Sequence, residues 1–118
     1  MTTLAMVHGD TPSFDVVVVH PVTQDPVDLT GATITMRAVT AYGATSFAFE
    51  VSTTSGDIEL VPGQTNRALI TLPTSATSPL PNEFTRLFFD VVVALGTDVW
   101  TTDSGMLIVR PKVAVATP

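Results

Sequence analysis

The chain has 118 residues, 45% of them hydrophobic and 14% charged, a balance that supports one folded domain and excludes a disordered chain. Its net charge of −6, with five cations (Arg37, Arg67, Arg86, Arg110 and Lys112) scattered along it, leaves no basic stripe for a nucleic-acid backbone or an anionic membrane surface. Cysteine is absent, which removes disulfides and thiolate metal sites.

Residues 1–14 carry neither a basic n-region nor a continuous apolar run, so no signal peptide is read there, and cytoplasmic synthesis fits. The apolar runs at 16–19 and 91–95 are too short to span a bilayer. Between frequent glycines and prolines lie segments rich in Val, Thr, Ile and Phe, the pattern of short strands joined by turns. The first two strands are read at 3–8 and 14–20, the second ended by Pro21. Thr23-Gln24-Asp25-Pro26 is a turn, residues 27–29 are extended, and Thr30-Gly31 bends the chain again. Residues 32–40 alternate, with Ala32, Ile34, Met36 and Ala38 on one face and Thr33, Thr35 and Arg37 on the other.

A strand over 47–53 has Phe47, Phe49 and Val51 on one side, and Ser55-Gly56-Asp57 turns into Ile58 and Leu60. After a loop at 62–66, residues 67–72 place Ala68, Ile70 and Leu72 on one face. A Ser/Thr/Pro connection follows at 73–82, with room for one short helical turn. Residues 84–95 fit two readings. Phe84, Leu87, Phe88, Val91 and Leu95 have helical spacing, with Asn82 as cap, but that helix leaves Phe89 and Val93 outside. A strand puts Leu87, Phe89, Val91, Val93 and Leu95 on one apolar face, and three consecutive valines favour it. Gly96-Thr97-Asp98 leads into a strand at 99–103, Gly105 opens a last strand at 106–110, and 113–118 is a tail or arm. The domain proper is read as 1–112. Seven to nine short strands at this spacing predict an all-β sandwich of two antiparallel sheets, with a barrel as the alternative. The core set is Ile34, Met36, Ile70, Leu72, Phe89, Val91 and Ile108.

Chemistry-bearing residues are sparse. His8 and His20 are the only histidines, and His20, at a strand end before Pro21, reads as a capping or solvated group. The serines form no nucleophile elbow, and Ser55-Gly56 and Ser104-Gly105 read as turns. Asp57 and Glu59 share a strand face, although glycosidase pairs usually come from separate strands or loops. Asp98 and Asp103, with Asp10 or Asp25, are a calcium candidate that turn aspartates explain equally. Trp100 and Tyr42 are the rings on which a sugar would stack. The expectation is a protein that is not an enzyme, with no catalytic residue, metal or cofactor.

Four segments carry a resemblance. They are Gly9-Asp10-Thr11 before a valine-rich strand, Asp28-Leu29-Thr30-Gly31-Ala32-Thr33, Leu87-Phe88-Phe89-Asp90-Val91, and the run from Gly105 to Pro111. In order and spacing the chain resembles the immunoglobulin-like N-terminal domain of the phage baseplate upper protein family. Related domains recur in small tail, fibre and head accessory proteins of tailed phages. The resemblance implies an Ig-like antiparallel β-sandwich and a structural virion role, with no catalytic residues to carry over. Baseplate upper proteins continue into a stalk or receptor platform where this sequence ends. The expected role is therefore a connector, decoration or fibre-base protein located in the virion. Its partners would be other phage virion proteins and further copies of itself, without nucleic acid or membrane. A carbohydrate-binding or adhesive module is the alternative.

The interface candidates follow from the long strand. The face opposite the Phe89 row reads Phe84, Arg86, Phe88, Asp90, Val92 and Ala94, mixing large apolar groups with charges as an interface with an apolar centre and polar rim does. Coverage of this face by the protein's own loops is the other reading. Arg37 and Arg86 are the partners proposed for Asp90, should that face be buried. Val113 and Val115 join the candidate interface as part of an uncharged tail that can add a strand to a neighbour's sheet.

Overall fold

Alternation along the chain selects the strands, and their pairing decides which face each presents. In the computed structural model of the protein, residues 2–41, 43, 46–77, 80 and 83–111 are described. They form β1 (Thr2–Val7), β2 (Ser13–Val17), β3 (Thr33–Val39), β4 (Phe49–Ser52), β5 (Ile58–Val61), β6 (Gln64–Thr71), the single helical turn α1 (Thr74–Thr77), β7 (Thr85–Leu95) and β8 (Asp98–Arg110). One sheet has the order β1-β8-β7-β3-β4 and the other β2-β6-β5. The result is an all-β sandwich of eight strands, as the sequence predicts. A three-stranded sheet faces one built around the last two strands, and the chain crosses repeatedly between them.

Residues 85–95 are a strand, with Leu87, Phe89, Val91 and Val93 buried on one face. A helix there would have pointed Phe89 and Val93 into water. β7 returns through Gly96-Thr97 into β8, with Leu95 opposite Asp98. Gly96 takes φ +62° at the first of the two turn positions, which matches the twist of the flanking strands.

Four expectations are corrected. Residues 98–110 are one continuous strand, so Gly105 lies inside it. A bulge between the partners of Val91 and Val92 leaves Thr102 as an extra residue, so Trp100 comes to lie opposite Val93 on the core side. Ile108 is only half-buried; Leu107 and Val109 fill the core instead. The register explains this, because Ile108 lies opposite the outward Arg86 and Leu107 opposite the inward Leu87. Phe47 precedes β4 and is exposed, unlike Phe49 and Val51. Finally, β1 pairs with β8 in parallel, from Thr2 opposite Gly105 to Val7 opposite Arg110, so the larger sheet is not wholly antiparallel.

The core lies between the two inner faces. Ile34, Met36, Leu87, Val91 and Leu107 of the larger sheet meet Val16, Ile58, Ala68 and Ile70 of the smaller, with Leu29 and Leu72 entering from the connections. One end is closed by α1, which buries Ala76 and Thr77. The Thr77 hydroxyl donates to the Asp10 carbonyl at 3.2 Å, which satisfies a buried polar group. His8 is drawn into the same end, its Nε2 2.7 Å from the Leu80 carbonyl.

Candidate functional site

β7 presents Arg86, Phe88, Asp90, Val92 and Ala94 to the outside of the five-stranded sheet because its other face carries the core row. Phe84, immediately before the strand, is 57% exposed. Arg86 and Asp90 are exposed, while Phe88, Val92 and Ala94 are half-buried. The pairing register adds neighbours that sequence reading missed. Met106 lies opposite Phe88 and Ile108 opposite Arg86 on β8, and Val39 lies opposite Phe88 on β3. A transverse apolar row, Val39-Phe88-Met106, therefore crosses three strands. No alternation in the run Met106-Leu107-Ile108-Val109 could reveal which two side chains point outward.

Charges flank this row. Arg37 lies opposite Asp90 in the register, but its Nε donates to Glu50 Oε2 at 2.7 Å. Arg37 also sits over the Phe47 ring at 5.2 Å, and Arg86 over Phe84 at 6.0 Å. With both partners largely in water, the Arg37–Glu50 pair contributes little to stability and mainly fixes where the guanidinium sits. The proposed Asp90 partnership with Arg37 is thus replaced by Arg37–Glu50, and Asp90 faces solvent, so the desolvation that would have demanded a partner does not arise. Arg37, Val39, Phe47, Phe88 and Asp90 line a depression of about 230 Å³. Val113 and Val115 lie outside the described residues.

The other candidates are occupied locally. His20 Nδ1 accepts the Val22 and Thr23 amides at 3.2 and 3.3 Å and so caps its own turn. Asp57 Oδ2 accepts the Ser55 hydroxyl at 2.7 Å. Asp28 Oδ1 accepts the Thr30 amide at 3.0 Å, and the hydrogen bonds from Thr30 hold the Asp28 carboxyl below the usual aspartate range. Among the described residues, no three His, Asp or Glu side chains come together to hold a metal ion. Trp100 packs against the core with its Nε1 buried, and its ring lies 6.5 Å from that of His20. The partly buried ring also lines a depression of about 240 Å³ with His20, Pro21, Asp98 and Val99, and Tyr42 lies outside the described residues. No helix among those described is long and apolar enough to cross a membrane. An open groove of about 660 Å³ runs beside β1, lined by residues 5–7 and 9–12. No protein-family model matches the chain, and no curated protein matches it significantly.

Proposed function

We propose that this chain is a structural protein of a tailed-phage virion, an immunoglobulin-like module that acts by assembly rather than by turnover. The observation that carries the reading is the outer face of β7, where Phe84, Phe88 and Val92 alternate with Arg86 and Asp90. Met106, Ile108 and Val39 widen the apolar part of that face across neighbouring strands. Water-facing sheet surfaces ordinarily carry polar residues at such positions. An apolar centre with charges at its margin is the anatomy of a protein interface. The edge strands β1 and β4 offer a second route, since each ends its sheet and a neighbour's segment can add there.

The partners on this reading are other virion proteins and further copies of the chain, held on the tail, baseplate, fibre base or capsid. Phe88→Asp is the direct test in particles. The added charge stays hydrated in the free chain and is desolvated only in the complex. The variant is expected to fold normally and to be lost from purified particles. Normal incorporation of Phe88→Asp would reject this surface.

A further inference from the structure

Read outward along β7, the chemistry is apolar, positive, apolar, negative, apolar: Phe84, Arg86, Phe88, Asp90, Val92. Turned end for end about Phe88, the pattern keeps its apolar positions and exchanges its charges. That is the requirement of an isologous interface, in which residue i meets residue j and j meets i. Arg86 and Asp90 of one copy cannot meet each other. They lie four residues apart on one strand, a separation of roughly 13 Å.

The geometry points to a second copy of this chain as the occupant of the outer face. The two sheets would pack face to face, with the two-fold axis lying in the interface and crossing the strands at Phe88. This rests on the reading of that face as an assembly surface and names the molecule that covers it. The axis follows the row Val39-Phe88-Met106, so the apolar centre of one copy rests on the same row of the other. Each Arg86 then faces the partner's Asp90, and each Phe84 faces the partner's Val92. An axis running along the strands instead would stack Arg86 on Arg86 and Asp90 on Asp90, an arrangement that like-charge repulsion disfavours. Arg37, paired with Glu50, stays at the margin. Sheets packed this way keep their strands within about 30° of each other and sit about 10 Å apart, a spacing that Phe and Arg side chains fill. Because β3 ends at the axis with Val39, the overlap is mainly β7 and β8 with the start of β1, roughly 300 Å² per copy, the scale of a weak, reversible pair.

The test is sedimentation equilibrium of the full chain and its charge-reversal variants. The unmodified chain is expected to dimerise. Arg86→Asp and Asp90→Arg alone should each raise the dissociation constant by about a hundredfold, because each places like charges together twice. Mixed in equal amounts, the two variants should form a heterodimer within about tenfold of the unmodified affinity, since both cross-contacts become complementary again. The double variant R86D/D90R should likewise dimerise. Thermal unfolding of Arg86→Asp should match the unmodified chain, because that side chain is exposed, and the variants carrying Asp90→Arg, which set an arginine opposite Arg37, should unfold only a few degrees lower, on the order of a surface like-charge pair. A chain that stays monomeric up to roughly 100 μM, or single variants that fail to recover on mixing, would overturn the pair. If the chain is monomeric yet Phe88→Asp still expels it from particles, the two-fold pair is wrong and the assembly reading stands. If the mixing rule holds but the chain is absent from particles, the pair stands and the virion reading fails.

Discussion

Phe88 and Phe89 are chain neighbours that face opposite sides of one sheet. Phe89 is 4% exposed in the core, and Phe88 looks outward beside Val39 and Met106. Phe89→Ala should cost about 3–5 kcal/mol in chemical denaturation, the range for truncating a buried aromatic. Phe88→Ala, measured on the free chain, should cost about 1 kcal/mol or less. Equal losses would mean the two faces are misassigned. This distinction was legible in the sequence, because Arg86 and Asp90 mark one side of the alternation. Leu107 and Ile108 were not separable in the same way, since both neighbours of each are apolar or flanking. Leu107→Ala should accordingly destabilise more than Ile108→Ala. At Asp28 the folded pKa lies below the unfolded value, owing to the Thr30 hydrogen bonds. Its contribution is therefore present above the unfolded aspartate pKa and lost as pH falls through the lower folded one. Asp28→Asn should remove that part of the acid sensitivity, seen as a smaller drop in unfolding midpoint between about pH 5 and pH 2. An unchanged pH profile would mean the turn does not depend on the charge.

At the scale of elements, turn chemistry was the most readable feature. Gly31 follows the Asp28–Thr30 turn with φ +80°, and nothing lies within 4 Å of where a Cβ would stand. Gly31→Ala should therefore cost about 1–2 kcal/mol through backbone strain alone. A neutral result would show that the turn relaxes. β8 was read as two strands because Gly105 and the charged Asp103 interrupt the apolar pattern. In the fold they sit within one strand held by eleven partners on β7. Strict alternation would have turned Thr101 inward and Trp100 outward; the bulge at Thr102 reverses them, and a bulge leaves no composition signal. Removing Thr102 keeps the pairing of Trp100 with Val93, so its fluorescence should not change. A red shift on that deletion would show that the bulge positions the ring in some other way. The parallel pairing of β1 with β8 was equally hidden, because the partners lie at opposite ends of the sequence and pairing direction leaves no mark on either strand.

For the whole molecule, the sandwich was legible because its strands are short, alternating and regularly punctuated. The outer face was legible only along β7, since membership from β3 and β8 depends on register that no local pattern encodes. That register converts a list of mixed residues into a continuous apolar row with charges on both sides. The role proposed for this fold is assembly in a phage particle. Mass spectrometry of gradient-purified particles from the source tests it most directly. The chain should be present in many copies per particle, at a stoichiometry fixed relative to a major structural protein. Absence of the chain from the particles would contradict it.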